Sequence, residues 1–297
     1  MVDVSIIIVN YNTWQLTVDC IQSICDQTIE VTYEIIVVDN SSSDASVDNI
    51  KKHHPFVTLI ESKKNLGFGR GNNLAAMQAK GKYLFFLNSD TLLVNDAISV
   101  LKNYMDSHSN VGICGGNLYD IHMNPKHSHL RVFPSIFNDY DLATRRLLSR
   151  VFISNMQFNN SGKPLEVAYI TGADMMIARE LFEQISGFDP DFFLYYEETE
   201  LTYRVKKMGY KVVNVPASQI IHLEGKSSTV SESKMRIMQQ SRLMFFSKCY
   251  SVFYCIVSNI NYFVLNIISI MFYCIFNRSE AKRLFQKMKI FIDRLWL

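Results

Sequence analysis

The sequence lacks the signatures of several common classes of protein. Its six cysteines show no CxxC spacing, and three of them lie in the apolar C-terminal stretch, which argues against a zinc site and a disulfide framework. The N-terminal stretch MVDVSIIIVNYN has no basic region, and its apolar run is too short for a signal peptide. We therefore expect the binding or catalytic part to remain in a reducing cytoplasm.

A basic face for nucleic acid is also missing. The whole chain has a formal net charge of +2, but residues 278–297 alone carry six Lys or Arg against two acidic residues. Since those residues contribute +4, the 277 residues before them have a net charge of −2. The basic end is a tail, so nucleic acid is not an expected partner.

Short apolar runs alternate with amphipathic or capped segments over residues 1 to about 115. Their apolar character is continuous rather than alternating, which predicts strands buried on both faces, and hence a mostly parallel sheet with helices on each side. The predicted strands are Val4–Val9, Tyr33–Val38, Val57–Ile60, Lys82–Leu87 and Val111–Gly116. A chain of 297 residues is long enough for one large α/β domain or two ordinary ones.

The middle of the chain is less regular. Residues 117–164 are polar and mixed, which predicts a long loop region with some helix. Two helices ending on glycine follow, one at Gly187 and one at Gly209, and short strands complete the domain. We expect one domain over residues 1–230 and a helical region over residues 231–297.

The C-terminal region contains 28 residues without a charge, Cys249 to Phe276, which is enough to span a bilayer. Lys and Arg flank this stretch on both sides, so the positive-inside rule gives no orientation. A helical hairpin in one leaflet, or an interfacial helix pair, fits the symmetric charges better than a single crossing. The alternative is an apolar helix that packs on the main domain or in a dimer interface.

Polar clusters follow three of the predicted strands, at Asn10–Asn12, Asp39–Ser41 and Asn88–Asp90. Ligands of such sheets bind beyond the carboxyl ends of the strands, so these clusters are expected to line one crevice. Asp39 would accept a hydrogen bond from the imide edge of uracil or thymine, although DNSSSD also fits a turn or helix cap.

Asp90 is a hard oxygen ligand at a strand end. Such a carboxylate suits Mg²⁺ or Mn²⁺ that bridges to substrate phosphates. Its other interpretation is the cap of a helix over about Asp96–Met105, although Asn95 is better placed for that cap.

A glycine-rich loop, NLGFGRGNN, covers Asn65–Asn73 and opens a helix at about Arg70. Its glycines allow close approach of a ligand, and the helix start behind them favours an anion. A dinucleotide fingerprint would instead follow the first strand, where the sequence reads NYNTWQ. This disfavours a dinucleotide-dependent dehydrogenase.

Two further features could carry chemistry. Glu197, Glu198 and Glu200 crowd the start of a helix, either to interact with the helix dipole and with Arg204, or to supply a general base. His222 ends the predicted strand SQIIH, where an imidazole is either a metal ligand or a hydrogen-bonding residue.

The order and wording of these motifs together resemble a known family. SIIIVNYN, IIVVDNSSSD, NLGFGRGNN, YLFFLNSDT and the block from GADMMIARELF to ASQIIHLEG are similar to the inverting family 2 glycosyltransferases, in particular the rhamnosyltransferase-like bacterial branch. The resemblance covers about residues 3–228. It implies an α/β GT-A fold, with a mostly parallel central sheet flanked by helices, followed here by an apolar helical extension.

The resemblance also implies a set of site residues. It implies that donor binding falls to the polar and glycine positions at the strand ends, which are Asn10, Tyr11, Asp39, Asn65, Gly67, Asn72, Asn88, Ser89 and Asp90. It implies Glu198 as the general base and Asp90 with His222 as metal ligands. The implied acceptor-side residues are Gly172, Ala173, Asp174 and Glu197.

Two positions depart from the family's pattern. Asn88 stands where the Asp-x-Asp motif has its first acid, and Glu198 stands where the acidic motif usually has Asp. The alternative to an enzyme is therefore a non-catalytic, membrane-associated scaffold that keeps the nucleotide-sugar fold.

The function that the resemblance implies is inverting transfer of a sugar in the synthesis of bacterial surface polysaccharide. The donor would be a UDP- or dTDP-sugar with Mg²⁺ or Mn²⁺, and the acceptor a hydroxyl of a glycan on polyprenyl diphosphate. The protein would act at the cytoplasmic face of the inner membrane, bound peripherally or by a re-entrant segment.

Overall fold

The computed structural model describes residues 2–144, 147, 151, 153–223 and 232–295, which divide into two units. The sheet unit contains the described residues of Met1–Arg131, Gln157–Phe193 and Glu197–Gly225. The helical unit contains those of Val132–Met156, Leu194–Tyr196 and Lys226–Leu297. The predicted boundary near residue 230 lies outside the described residues.

The strands of the sheet unit are β1 Val4–Asn10, β2 Tyr33–Asp39, β3 Thr58–Glu61, β4 Tyr83–Asn88, β5 Thr91–Leu93, β6 Val111–Tyr119, β7 His129–Leu130, β8 Leu165–Glu166, β9 Tyr169–Ile170, β10 Asp174–Ala178 and β11 Lys211–His222. Nine of them form a central sheet with strand order β3-β2-β1-β4-β10-β6-β11-β5 and with β8 beside β11. The strands β1 to β4 are parallel to one another, β10 is antiparallel to both of its neighbours, and β6 and β11 are parallel. A two-residue ladder joins β7 to β9.

Helices cover both faces of this sheet, because the side chains of each central strand are apolar on both sides. Ile6 and Ile8 of β1 point into one core cluster and Ile7 points into the other, and all three are fully buried. The helices of the sheet unit are α1 Trp14–Gln27, α2 Ser46–His53, α3 Phe68–Ala76, α4 Ala97–Ser107, α6 Arg179–Gln184 and α7 Glu197–Lys207. The predicted α/β class and mostly parallel sheet are confirmed.

Several local predictions need correction. The cap of α4 is Asp96, whose Oδ1 accepts a hydrogen bond from Ser99 N at 3.2 Å, and not Asn95. The Asn95 side chain instead joins strand β11, where it donates to Ala217 O and accepts from Gln219 N. Helix α3 begins at Phe68 rather than near Arg70, because Gly67 with its positive φ of 79° ends the loop.

The segment predicted as a long loop with some helix is more ordered than its composition indicates. Strand β6 extends to Tyr119, and the described part of the segment also contains β7 and the helix α5, Ile136–Ala143. Ser135 caps α5, since its Oγ accepts from Asn138 N at 3.4 Å.

The helical unit contains α5 and three helices that follow the sheet unit, α8 Glu232–Cys249, α9 Val252–Phe276 and α10 Arg278–Leu295. A buried ion pair joins two of them: Arg242 Nη2 of α8 lies 2.8 Å from Asp139 Oδ2 of α5. The guanidinium also lies 4.1 Å from the ring centroid of Tyr262 on α9. The residues of α9 that are buried in this unit are polar: Ser258, Tyr262 and Asn266.

Candidate active site

The first strand-end cluster is a closed hydrogen-bond network around Asp39, at the carboxyl ends of β1 and β2. Asp39 is almost fully buried; its Oδ1 accepts from Asn10 Nδ2 at 2.8 Å and its Oδ2 accepts from Ser42 N at 3.0 Å. Register pairs Asn10 directly with Asp39. The carboxylate therefore orders the turn after β2 as a capping residue would, while Tyr11 beside it is 48% exposed and faces solvent.

A second network attaches the glycine loop to the same sheet edge through Asn40. The Asn40 amide donates to Asn65 Oδ1 at 3.1 Å and to Gly67 O at 2.9 Å, and its oxygen accepts from Leu66 N at 2.8 Å. Position 67 requires a glycine, because a Cβ there would lie 2.0 Å from Phe193 O. Asn72 is turned inward and donates to Phe68 O in its own helix.

The third cluster brings together two residues that are distant in sequence. Asp90 Oδ1 lies 3.2 Å from His222 Nε2, and Asn88 Nδ2 lies 3.4 Å from the same nitrogen. Strand pairing holds them there, since His222 is the register partner of Thr91. Ser89 Oγ lies 3.3 Å from Thr13 Oγ1, which connects this cluster to the one around Asn10. The predicted strand-end residues therefore lie along one edge of the sheet.

The acidic residues at the start of α7 lie beside the glycine loop. A Cβ at Gly69 would lie 3.5 Å from Glu197 Cβ, and a Cβ at Gly172 would lie 3.7 Å from Glu198 Cβ. The same Gly172 position is 3.3 Å from the ring of Phe68. Glycine backbone thus packs closely against the start of both acidic side chains.

Burial changes the acidity of this carboxylate pair. Removal from water raises the pKa of Glu198 and raises the pKa of Glu197 well above its usual range, and the neighbouring charge of Glu198 adds to the second effect. Glu197 Oε2 is buried without a hydrogen-bond partner. Glu198 is half-buried, and its Oε1 accepts from Thr199 Oγ1 at 3.1 Å.

The third acid of this motif has a structural partner. Glu200 binds Arg204 through both carboxylate oxygens, at 2.7 and 2.8 Å, as the i,i+4 spacing predicts. Arg204 also donates to Ile185 O and Gly187 O, so this ion pair holds the end of α6 against α7. Glu200 therefore has a structural role.

Two of the predicted acceptor-side residues lie inside the sheet. Asp174 is fully buried on β10, where its Oδ2 accepts from Gly116 N at 2.5 Å and its Oδ1 has no partner. Its neighbour Ala173 is also buried, and its carbonyl accepts from Asn88 N at 3.0 Å. Of the four residues assigned to the acceptor side, Gly172 and Glu197 thus lie nearest to Glu198.

Asn40 was not among the predicted binding residues, although it anchors the glycine loop. The signal for it is weak but present: it is an amide that directly follows a buried strand and precedes a capping sequence. Its role depends on a loop that follows 25 residues later, which local sequence patterns do not connect.

The sheet order, the glycine loop and the polar strand edge define a nucleotide-sugar transferase of the GT-A class. The family model for glycosyl transferase family 2 matches residues 5–186, so the chain belongs to that family. The family prediction made from the motifs is confirmed.

Relatives agree with this assignment. The chain is 27% identical to the low-salt glycan biosynthesis hexosyltransferase Agl10 of Haloferax volcanii over 90% of its own length and 81% of the relative. It is 26% identical to rhamnosyltransferase WbbL of Escherichia coli, over 64% of this chain and 72% of that protein.

Among solved structures, GalNAc-T7 with UDP, GalNAc and Mn²⁺ is similar in fold, with a TM-score of 0.61 and 16% identity. The match covers 83% of this chain and 48% of GalNAc-T7, so the chain spans about half the length of that protein.

Proposed function

We propose that the protein transfers a sugar, with inversion at the anomeric carbon, from a nucleoside diphosphate sugar to a hydroxyl of a glycan. The observation that carries this proposal is the position of Glu198, which lies against the backbone of Gly172, while its neighbour Glu197 lies against Gly69 of the donor loop. A base next to the donor loop is what a single displacement on a bound donor needs.

In the proposed reaction Glu198 takes the proton of the acceptor hydroxyl. The acceptor oxygen forms a bond to the anomeric carbon while the bond from that carbon to the diphosphate oxygen breaks, and the nucleoside diphosphate leaves with the electron pair. The burial that raises the pKa of Glu198 makes its carboxylate a stronger base than an exposed glutamate. The adjacent Glu197, kept protonated by burial, adds no second negative charge to this step.

The donor would lie along the strand ends. The uracil or thymine would bind near Tyr11 and Asp39, and the ribose near Asn88, whose amide donates and accepts hydrogen bonds as a carboxylate cannot. Both Asp39 oxygens already accept protein hydrogen bonds, but each carboxylate oxygen has a second lone pair that can accept a hydrogen bond from the nucleobase. We propose UDP or dTDP because the Asp39 carboxylate can accept a hydrogen bond from the imide N–H of uracil or thymine.

Asp90 and His222 fit a divalent metal in part. A carboxylate oxygen and an imidazole nitrogen converge within 3.2 Å, and both are ordinary ligands of Mn²⁺. No group of three or more His, Cys, Asp or Glu converges within the described residues, so diphosphate oxygens and water would complete the shell. A bound Mg²⁺ or Mn²⁺ supplies positive charge that stabilises the leaving diphosphate.

The proposed acceptor is a glycan carried on polyprenyl diphosphate, and the proposed location is the cytoplasmic face of the membrane. Helix α9 is long and apolar enough to cross a bilayer by length and composition, and only 17% of its most apolar window is buried. Its exposed side chains include Phe253, Ile260, Ile268 and Phe276, while its buried ones are polar. An apolar outer face and a polar inner face suit a lipid environment on the outside.

The test is a turnover assay of the full chain with UDP-, dTDP- and GDP-sugars, Mg²⁺ or Mn²⁺, and a short glycan on polyprenyl diphosphate. We expect transfer from one uracil or thymine nucleotide sugar, with an inverted anomeric configuration in the product by NMR. A parent protein that binds the donor but neither transfers nor hydrolyses its sugar would instead be a non-catalytic scaffold. In that case Asp90→Ala would behave in the same way as the parent.

A further inference from the structure

The three residues that precede the acidic pair, Leu194–Tyr196, belong to the helical unit, although the chain on both sides of them belongs to the sheet unit. Helix α8 holds this short segment. Ser241 Oγ donates to Leu194 O at 2.8 Å, and the rings of Tyr196 and Phe245 pack with their centroids 5.6 Å apart. Both α8 residues are buried.

The backbone of this segment has an unusual conformation. Tyr195 and Tyr196 both have φ of 70°, and they are the only two consecutive non-glycine residues with positive φ in the described part of the chain. A left-handed backbone is unfavourable for side chains with a Cβ, and it persists only where the surroundings impose it. Here the contacts from α8 to Leu194 and Tyr196 hold the segment in this conformation.

The segment also begins and ends at the candidate active site. Phe193 O accepts from Phe68 N at 3.0 Å, and Phe68 follows Gly67 in the donor loop. At the other end the peptide bond from Tyr196 leads directly into Glu197 and Glu198. Tyr195 and Tyr196 are therefore the last residues before α7, the helix that carries Glu198.

We propose that Ser241 and Phe245 are positioning residues for catalysis, which act through their contacts to Leu194 and Tyr196 by holding the left-handed backbone of Tyr195 and Tyr196 that leads into Glu197 and Glu198. This inference rests on the proposed role of Glu198 as the base. It assigns Ser241 and Phe245 a part in turnover that is separate from any binding of lipid.

The test compares Ser241→Ala with Ser241→Thr, which keeps the hydroxyl, and with Ser247→Ala on the same helix. Ser247 is the matched control, because its Oγ donates only within α8, to Met244 O at 2.9 Å. Tyr196→Leu, with Tyr196→Phe as its ring-preserving partner, tests the second contact. Each full-length variant is assayed for kcat, for donor affinity by calorimetry and for melting temperature.

A misplacement of about 1 Å costs up to about 100-fold in rate, and we expect Ser241→Ala and Tyr196→Leu to lower kcat about tenfold. Donor affinity should stay within about twofold of the parent, since the donor contacts are not altered. Ser241→Thr and Tyr196→Phe should recover most of the loss, and Ser247→Ala should match the parent. The acidic limb of the kcat profile should also shift in Ser241→Ala, because the surroundings of Glu198 change.

Parental kcat in both Ser241→Ala and Tyr196→Leu would overturn the proposal. Equal losses of kcat, donor affinity and melting temperature would also overturn it, because they would reveal a role in folding alone. Glu198→Gln is measured in parallel: full turnover in that variant would reject Glu198 as the base, whereas an inactive Glu198→Gln with an unaffected Ser241→Ala would reject only the positioning role.

Discussion

His222 Nε2 lies 3.2 Å from Asp90 Oδ1, although the two residues are far apart in the sequence. The antiparallel pairing of β5 with β11 brings them together, and the backbone continues the contact, since Leu223 N donates to Asp90 O at 2.9 Å. Asn88, on the strand before β5, contacts the same histidine. The substitution of an amide for the first acid of the motif therefore leaves one carboxylate beside the imidazole.

The first prediction concerns this pair. Asp90→Asn keeps the shape of the side chain but removes its charge, so we expect turnover to fall about 100-fold at limiting Mn²⁺, as for loss of one group that stabilises developing charge. Initial rates measured over a range of Mn²⁺ concentrations check this. Asp120→Asn, in an exposed turn, is the control for removal of a carboxylate. An Asp90→Asn enzyme with the parental rate and metal response would show that Asp90 is not a ligand.

The strand-end residues were predictable from the sequence because each follows a continuous apolar run, and parallel strands end at one edge. The pairing of His222 with Asp90 was predicted through the family resemblance and not from a strand pattern, because β5 has only three residues and gives no periodic signal. The helical unit's share of the chain was not predictable either. In the sequence Leu194–Tyr196 is continuous with the FFLYYEE block. Only its long-range packing on α8 places this segment in the helical unit.

The second prediction concerns the pH dependence of turnover. Burial raises the pKa of Glu198 above its ordinary value of 4.5, and a base is active only without its proton. The kcat of the parent should therefore rise with pH along an acidic limb that lies above that value. Glu198→Gln should lose that limb and about 10² to 10⁴ in kcat, with donor binding retained.

Glu197→Gln is the matched control for Glu198→Gln. Because burial raises the pKa of Glu197 well above its usual range, we expect an uncharged amide to be tolerated there, with a much smaller effect on kcat. If Glu197→Gln were the inactive variant and Glu198→Gln the active one, the two roles would be exchanged.

The third prediction concerns stability and Asp174. Burial raises the pKa of this carboxyl well above the ordinary 3.8, so the folded protein retains a proton that the unfolded chain releases. The folded state then binds more protons, and the contribution of Asp174 to stability is lost as pH rises from the ordinary pKa toward the raised one. Asp174→Asn cannot titrate and should lack this loss.

Denaturant unfolding of parent and Asp174→Asn at about pH 5 and about pH 8 measures the difference. The free energy of unfolding of Asp174→Asn, relative to the parent, should be higher at the upper pH than at the lower one. Asp120→Asn should show no such gain, because that carboxyl is exposed and its pKa is lowered by hydrogen bonds from Asn124. A constant difference between parent and Asp174→Asn would mean that Asp174 is ionised in the fold.

The last prediction concerns the exposed face of α9. Arg242 and Asp139 hold the polar side of the helical unit together, so the apolar side chains of α9 are left at its surface. Ile260→Lys together with Ile268→Lys should lower binding to vesicles of anionic lipid at least about tenfold, because each isoleucine transferred from water to lipid contributes about 1.5–3 kcal/mol. Vesicle co-sedimentation measures this loss.

Ile29→Lys is the matched control, since Ile29 of the sheet unit is 81% exposed and its replacement should leave vesicle binding unchanged. Melting temperatures should also be unchanged, because Ile260 and Ile268 are 60% and 57% exposed and make little contact in the fold. Unchanged vesicle binding, with a dimer converted to a monomer by light scattering, would assign the same face to a second copy of the chain. The polar inner face of α9 contacts Arg242 within one chain and so needs no second copy of the protein. We therefore expect lipid, rather than a second copy, to cover the apolar outer face.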